Sequence, residues 1–262
     1  MTMGVLLTPL RFLGRIVATG ISGVGELCCI LYFTLRQVPH VFRNWGLVLK
    51  QMVSIGVSSV PLLFVTSIFT GMVATVQASF QFRGLVADKW VGTAACKMVL
   101  IELGPLLTAL VLAGRVGSAL AAEIASMREK EELDAHEVLD LNPYRYLAMP
   151  RFVAFFTMVP CLTIISNCLA LIGGWIVAVL ALDISSYTFY TGMQYLFNPR
   201  DLFGGVLKSF VFGIVIFLLG WFHGMNAAPG AKGVGLATKD SVVSCCLMIL
   251  ILDLATDAIL FQ

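Results

Sequence analysis

The sequence predicts an all-α integral membrane protein with about five transmembrane helices and an N-terminal helix lying in the membrane interface. Of its 262 residues, 59% are hydrophobic and only 12% are charged, and the mean hydropathy is +0.93. A typical soluble domain carries about 25% charged residues, so the lipid bilayer is the expected solvent of this chain. No Pro- or Ser-rich linker divides the sequence, and we therefore expect one membrane domain.

Five segments are apolar enough and long enough to cross a bilayer, which takes about 20 residues of helix. They are residues 51–82, 98–120, 152–182, 203–222 and 241–262. The predicted organisation is an N-terminal interfacial segment over residues 1–50, followed by a five-helix transmembrane domain over residues 51–262.

Residues 10–36 allow two interpretations. The segment is apolar, but it carries Arg11, Arg15, Glu26 and Arg36. It forms either a sixth span or a helix that lies in the interface with its charges at the lipid headgroups. We favour the interfacial, elbow-type helix.

The distribution of basic residues predicts the orientation, because cytoplasmic loops are enriched in Lys and Arg. With five spans and a cytoplasmic N-terminus, eleven basic residues fall inside and four outside. The inside residues are Arg11, Arg15, Arg36, Arg43, Lys50, Arg128, Lys130, Arg145, Arg151, Lys232 and Lys239, and the outside residues are Arg83, Lys89, Lys97 and Arg200. The N-terminus and residues 121–151 are therefore predicted to be cytoplasmic, and the C-terminus to lie outside.

Charged residues inside the predicted spans are costly and usually functional. Glu102 and Arg115 lie 13 residues apart, which is about 20 Å along a helix axis, so they cannot pair with each other. The helical rise places Glu102, Lys208 and Asp253 at a similar depth in the outer half of the bilayer. We predict a buried charge cluster of these three, which is either a structural network that fixes helix packing or an element that controls a cavity or a passing headgroup.

Small residues follow in the second span, in the stretch GRVGSALAAE at residues 114–123. Small side chains let helices approach closely in lipid, so Gly114, Gly117 and Ser118 are predicted to pack against a neighbouring helix. Arg115 lies near the cytoplasmic end of the span, where a long side chain reaches the interface.

Acidic residues are concentrated just after this stretch. Residues 123–140 hold seven of the fifteen acidic residues, namely Glu123, Glu129, Glu131, Glu132, Asp134, Glu137 and Asp140. The same loop contains apolar residues that a merely solvated loop would not need. It is either an acidic surface that keeps the loop in water or a docking element for a cytoplasmic partner.

Several functions are excluded by the residue patterns. The sequence contains no recognisable phosphate-binding loop, Ser-His-Asp arrangement or metal cluster, and the seven cysteines lack metal-binding spacing. There is no basic stripe for nucleic acid. We therefore expect a non-catalytic chain without a metal, and any ATP it uses must be hydrolysed by a separate subunit.

Three blocks of sequence closely resemble the MlaE (YrbE-like) permease family, a resemblance that covers about residues 40–262. They are FTGMVATVQ (69–77), ELGPLLTALVLAGRVGSALAAEIASMREKEELDAHEVLDLNPYRYLAMPRF (102–152) and GAKGVGLATKDSVV (230–243). Lys208 in LKSFVFG and Asp253 in ILDL also match. One departure is Ile101, where many relatives carry arginine.

The resemblance implies the permease subunit of an ABC transporter in the bacterial inner membrane, with an MlaE-like permease fold and the C-terminus in the periplasm. Such permeases form homodimers, bind a cytoplasmic ABC ATPase that carries ATP and Mg, and work with a periplasmic MCE-domain protein. They move phospholipids or related lipids between the inner membrane and this carrier, which maintains the lipid asymmetry of the outer membrane.

The resemblance also implies roles for individual residues. The ATPase coupling segment comprises Glu123, Arg128, Glu129, Glu131, Glu132, Asp134 and Glu137. A lipid cavity at the dimer interface is lined by the fifth span and by the first span at Gly71, Val73, Ala74 and Gln77. Glu102, Lys208 and Asp253 match charged positions near this cavity.

Two further hypotheses remain beside the lipid permease. An ion-coupled secondary transporter or channel would use the three charges in the membrane, but the sequence lacks the inverted repeats and broken-helix pairs of many such proteins. A membrane scaffold without transport activity is disfavoured by the same charges.

Overall fold

The computed structural model of the protein describes residues 22–82 and 86–260, except for the side chain of Glu137. Within these residues the chain is helical and contains no strand. The helices are α1 (22–37), α2 (Trp45–Ile55), α3 (Val60–Phe82), α4 (Lys89–Glu129), α5 (Glu132–Val138), α6 (Tyr144–Leu180), α7 (Ser186–Tyr195), α8 (Pro199–Met225) and α9 (Ala231–Leu260). The 3₁₀ turns Val38–Asn44 and Val57–Ser59 connect α1 to α2 and α2 to α3.

Five helical runs in the described residues are long and apolar enough to cross a membrane. The first is Ser22–Phe82, which contains α1, α2 and α3, and the others are α4, α6, α8 and α9. One predicted span falls into each run. The prediction of an all-α membrane protein with about five spans is confirmed.

The spans alternate in direction. The hydroxyls of Ser67 in α3 and Ser166 in α6 lie 2.7 Å apart, and Ala78 and Ala178, further along, share one apolar cluster, so α3 and α6 are parallel. In α8, Gly205 lies against Leu100 of α4, and further along Gly224 lies against Ile124, so α4 and α8 are also parallel.

Further contacts show the direction of these two helix pairs relative to each other and to α9. Phe156 in α6 contacts Phe210 in α8, whereas the earlier Phe152 contacts the later Phe217, so α6 and α8 are antiparallel. Lys208 early in α8 pairs with Asp253 late in α9. Helices α3, α6 and α9 therefore run one way and α4 and α8 the other, as in a chain that crosses the membrane five times.

Helix α1 lies across one end of this bundle. Asn226, just after α8, donates a hydrogen bond from Nδ2 to Glu26 Oε1 at 2.8 Å. Seven residues after Glu26, the ring of Phe33 lies 5.4 Å from that of Tyr144, at the start of α6. Because both contacts lie at the same end of the bundle, α1 runs along this end rather than through the bundle. This supports the interfacial interpretation for residues 22–36, whereas residues 10–21 lie outside the described residues.

Aromatic side chains fill the core next to α1. The rings of Phe152 and Phe217 lie 5.4 Å apart in an edge-to-face arrangement. Trp221 and Phe155 are almost completely buried beside them. Aromatic pairs of this kind contribute about 0.5–1.5 kcal/mol beyond the burial of their area. They hold α6 against α8 in the half of the bundle that carries the loop between α4 and α6.

Candidate functional site

Lys208 is the centre of a cluster of charged side chains between α4, α8 and α9. Its side chain has no exposed surface, and Nζ donates hydrogen bonds to Glu102 Oε2 at 2.8 Å and Asp253 Oδ1 at 3.0 Å. A third carboxylate oxygen, Asp257 Oδ1, lies 2.5 Å from the same nitrogen. The structure thus brings together the three side chains that the sequence placed at one depth, and it adds a fourth.

Asp257 was missed as a member of the cluster, although a signal for it exists. It follows Asp253 by four residues, and residues four apart lie on the same face of a helix. Depth alone separates the two by about 6 Å. The long lysine side chain spans this difference. The prediction missed this because it compared the depths of backbone positions and ignored the length of the side chain.

Two local features bring Glu102 and Lys208 together. Glu102 lies in a π-helical turn of α4, Val99–Leu103, and such turns are frequent at functional sites. Opposite this turn, α8 approaches closely, because a Cβ atom added at Gly205 would lie 2.2 Å from the carbonyl oxygen of Leu100. Glycine at this position lets Lys208, one turn later, reach the carboxylate of Glu102.

The cluster has more acidic groups than basic ones. Oxygens of Glu102, Asp253 and Asp257 lie within 4.8 Å of one another, a spacing that one cation can bridge. The ammonium group of Lys208 is that cation, since it contacts all three. The side chains of Glu102 and Asp257 are 39% and 30% exposed, so the part of the cluster that faces outward consists of carboxylates.

This excess of acidic groups leads to a prediction. In Asp257→Asn, Lys208 keeps two carboxylate partners, and repulsion among the carboxylates falls. We therefore expect the free energy of unfolding to change by less than about 1 kcal/mol, the range of partly exposed ion pairs. Thermal unfolding in detergent measures the change, with Asp253→Asn as the buried comparison. A larger loss for Asp257→Asn than for Asp253→Asn would contradict this ranking.

An apolar groove lies along another face of α4. It has a volume of about 510 Å³ and runs between α3 and α4. Phe69 and Val73 of α3 form one wall, and Leu103, Leu107 and Val111 of α4 form the other. Because Leu103 follows Glu102 directly, this end of the groove lies at the depth of the charged cluster, but on a different face of α4, since successive helix residues point about 100° apart.

The predicted cavity residues of α3 lie on two different faces. Val73 lines the groove and is 66% exposed, and Gln77, one turn later, is also exposed. Gly71 and Ala74 are buried on the opposite face. A Cβ atom added at Gly71 would lie 1.7 Å from the carbonyl oxygen of Ala170 in α6. Within one chain, Gly71 and Ala74 therefore pack α3 against α6, and Val73 and Gln77 face outward.

The predicted coupling segment comprises the end of α4 and the short helix α5 between α4 and α6. Leu133 is buried and anchors α5, whereas Val138 is 86% exposed. Arg128, Glu129, Glu131, Glu132 and Asp134 are exposed. The side chain of Glu137 lies outside the described part of the chain. The segment thus presents acidic and apolar side chains together.

Glu123 differs from the other carboxylates of this segment. Its Oε1 atom accepts a hydrogen bond at 2.6 Å from Nη2 of Arg151, which is buried in α6. This bond turns one side of the carboxylate toward the bundle, while the side chain is 50% exposed. The resemblance placed Glu123 in the ATPase coupling segment, and that role stays a prediction. Glu123 and Arg151 lie on either side of the same loop, but the sequence does not show that the loop folds back and brings the two side chains into contact.

The predicted packing residues of α4 divide in a similar way. Gly117 is buried against Ile216 of α8, but a Cβ atom added at Gly114 would meet nothing within 4 Å. Ser118 bonds back to the carbonyl of Gly114 in its own helix at 2.5 Å. Arg115 Nη1 donates to Ser59 Oγ at 2.6 Å, so it joins α4 to the turn between α2 and α3. Gly117 packs against another helix, and Gly114 does not within this chain.

The fold and the site define a multi-pass helical membrane protein of the permease class, with an apolar groove, a charged cluster in the membrane and an acidic segment between two spans. Residues 48–259 match the family model described as Permease MlaE, and the chain belongs to this family. This match confirms the family that the sequence blocks indicated.

Relatives match over almost the whole chain. A probable ABC transporter permease protein of Rickettsia prowazekii is 35% identical over 257 residues, which cover 98% of this chain and 99% of the relative. A probable ABC transporter permease protein of Rickettsia felis is 36% identical over 233 residues, 88% of this chain and 90% of the relative. The intermembrane phospholipid transport system permease protein MlaE of Haemophilus influenzae is 32% identical over 250 residues, 95% of this chain and 96% of the relative.

Proposed function

We propose that this chain is the membrane-spanning subunit of an ATP-driven transporter that moves phospholipids or related lipids between the inner membrane and a periplasmic MCE-domain carrier, and so maintains outer-membrane lipid asymmetry. The observation that carries the proposal is the apolar groove between α3 and α4, whose Leu103 end lies at the depth of the charged cluster. The name of the Haemophilus influenzae relative as a phospholipid transport permease adds support.

The chemistry of the groove suits a lipid. An acyl chain needs an apolar surface and few polar contacts, which Phe69, Val73 and Leu107 provide. At the depth of the Leu103 end, Glu102 and Asp257 are partly exposed, and their carboxylates would suit the cationic group of a zwitterionic headgroup rather than its phosphate. The chain would act by offering a path and changing its shape, without a catalytic centre of its own.

The energy would come from a separate ATPase that binds ATP and Mg and docks on the segment 121–151. Exposed apolar side chains next to exposed carboxylates suit a protein partner, and Val138 and Leu139 are 86% and 68% exposed. The excess of Lys and Arg residues on the same side supports a cytoplasmic position for this segment. The C-terminus would then lie in the periplasm, and the protein in the inner membrane.

A second copy of the chain would complete the lipid cavity. The groove between α3 and α4 is open on one side, and the exposed surface of α9 is rich in large apolar residues such as Leu250, Ile251 and Leu254. A homodimer would enclose the groove and leave the outward face of α3, with Val73 and Gln77, inside it. Small residues at α4, including Gly114, remain available for such a contact.

An ion-coupled transporter is the second candidate, and the three carboxylates around Lys208 favour it. The two candidates differ in their partners. The lipid permease requires a stoichiometric ATPase and bound phospholipid, whereas the ion-coupled transporter works without an ATPase.

Charge reversal in the docking segment tests the proposal. We expect Glu129→Lys with Glu132→Lys to reduce the amount of co-purified ATPase about tenfold or more, because like charges meeting at an interface cost several kcal/mol. The measurement is the subunit ratio after purification in mild detergent, with mass spectrometry of bound lipids. Asp88→Lys with Asp240→Lys is the matched control, since both carboxylates are exposed and lie outside the segment. Wild-type protein that purifies without an ATPase and moves an ion would refute the lipid permease.

A further inference from the structure

Glu123 and Arg151 form an ion pair that closes the base of the segment 121–151. Arg151 Nη2 donates to Glu123 Oε1 at 2.6 Å, and Nη1 donates to the carbonyl oxygen of Leu147 at 3.1 Å. Glu123 lies near the end of α4, and Arg151 lies two turns into α6. The pair therefore joins the two helices on either side of α5.

The environment of the two groups is unequal. Arg151 is 3% exposed, whereas the side chain of Glu123 is 50% exposed. A buried guanidinium depends on its carboxylate partner, because an uncompensated charge in a low-dielectric region is strongly unfavourable. The hydrogen bonds to Leu147 and Glu123 also fix the direction of the arginine side chain. The exposed side of Glu123 leaves room for the pair to shift when the segment moves.

The pair lies at one end of a set of closely packed helices. Helices α3 and α6 touch at backbone distance, with Gly71 against Ala170. Helices α4 and α8 do the same, with Gly205 against Leu100 and Gly224 against Ile124. Helix α6 also packs against α8, because a Cβ atom added at Gly213 would lie 3.0 Å from the carbonyl oxygen of Phe155. Close-packed contacts leave little room for sliding, so a movement of one of these helices is passed to its neighbours. The Glu123–Arg151 ion pair adds a direct link between α4 and α6 at the end of the bundle that carries α5.

Helix α5 is connected to the neighbouring spans by a sharp turn at each end. The residues just before and just after it, Glu131 and Asp140, have left-handed backbone conformations, with φ of 58° and 57°. Non-glycine residues adopt this conformation infrequently, and both positions are exposed connections rather than packed helix. A force on α5 reaches the bundle through its buried Leu133 and through the end of α4 and the start of α6, where the ion pair lies.

We infer that Glu123 and Arg151 are positioning residues that convert a displacement of α5 into a movement of α6 and, with it, of α3. The inference rests on the proposed function, because it assigns the displacement to the docked ATPase. Helix α3 carries one wall of the lipid groove. The pair thus couples the docking segment to the width of the groove without touching either the ATPase or the lipid.

The experiment compares variants of the full chain in the complex purified with its ATPase and reconstituted in phospholipid vesicles. The variants are Glu123→Gln, Arg151→Lys, and Glu123→Arg with Arg151→Glu, and Asp240→Asn is the control for the loss of one exposed carboxylate. The readouts are ATPase retention, ATP hydrolysis rate and lipid moved per ATP hydrolysed. For Glu123→Gln we expect normal ATPase retention but about tenfold less lipid moved per ATP, within the range reported for residues that modulate coupling. We expect the charge exchange, Glu123→Arg with Arg151→Glu, to restore most of the lipid moved per ATP.

Each alternative result has a defined meaning. An unchanged lipid-to-ATP ratio in Glu123→Gln and Arg151→Lys overturns the inference and leaves the proposed function intact. Loss of the ATPase from Glu123→Gln also overturns it, because Glu123 would then be a docking contact. If Glu123→Gln does not fold, the other two variants decide. A normal amount of lipid moved per ATP in Arg151→Lys refutes the inference. So does a failure of the charge exchange to restore this amount. A wild-type complex that hydrolyses ATP without moving lipid contradicts the proposed function itself.

Discussion

Lys208→Met is expected to lower the free energy of unfolding by about 3–5 kcal/mol, the usual cost of removing one partner from a buried ion pair. The methionine side chain fills a similar space but leaves three carboxylates, Glu102, Asp253 and Asp257, without their cation. Carboxylates inside a bilayer are costly unless they are paired. Thermal unfolding in detergent and the amount of protein in the membrane fraction both measure the effect.

A fully neutral cluster separates stability from transport. In the variant that combines Lys208→Met with Glu102→Gln, Asp253→Asn and Asp257→Asn, no unpaired charge remains, and buried ion networks replaced by neutral residues are often as stable as before. We expect thermal stability to return close to that of the wild type. If lipid transport returns as well, the cluster only fixes the packing of α4, α8 and α9. If stability returns and transport does not, the charges act on the lipid or on the movement of the helices. Wild-type stability in Lys208→Met alone would contradict the ion pairing itself.

The sequence predicted those parts of the site that depend on depth. A transmembrane helix is a rigid rod with a fixed rise per residue, and spans alternate in direction, so the position of a charge along each span gives its depth. This reasoning brought Glu102, Lys208 and Asp253 together, and the structure has them in contact. The same uniform geometry explains the predicted number of spans, because length and hydropathy decide whether a helix crosses a bilayer.

Rotation about the helix axis was not predictable in the same way. Helix α3 is apolar on all sides, so no polar stripe distinguishes the face that meets α6 from the face that meets lipid or a second copy. The resemblance grouped Gly71 and Val73 together, yet one is buried against Ala170 and the other is 66% exposed. The π-helical turns of α4 add to the difficulty, because an extra residue in a turn changes the face on which all later residues lie.

Gly71→Val is expected to prevent normal folding, with a loss of stability at or above the ~3 kcal/mol upper end of ordinary overpacking. A Cβ atom at this position would lie 1.7 Å from the carbonyl oxygen of Ala170 and 2.4 Å from its carbonyl carbon. Both are backbone atoms, so no change of rotamer relieves the clash, and α3 must move away from α6. The loss of the Ser67–Ser166 hydrogen bond, one turn away, is expected to accompany this movement. Membrane accumulation and thermal unfolding in detergent measure the result.

Two comparison variants make this result informative about function. Gly46→Val introduces the same side chain into α2, where a Cβ atom meets nothing within 4 Å, and we expect a change below about 0.5 kcal/mol since valine is no worse than glycine in a helix. Val73→Ala, on the exposed face of α3, is expected to leave stability within about the same limit and to alter lipid transport, because Val73 lines the groove. If Gly71→Val instead folds as well as Gly46→Val and changes only transport, then Gly71 faces the lipid as the family resemblance implied, and the close contact between α3 and α6 is absent from the working protein.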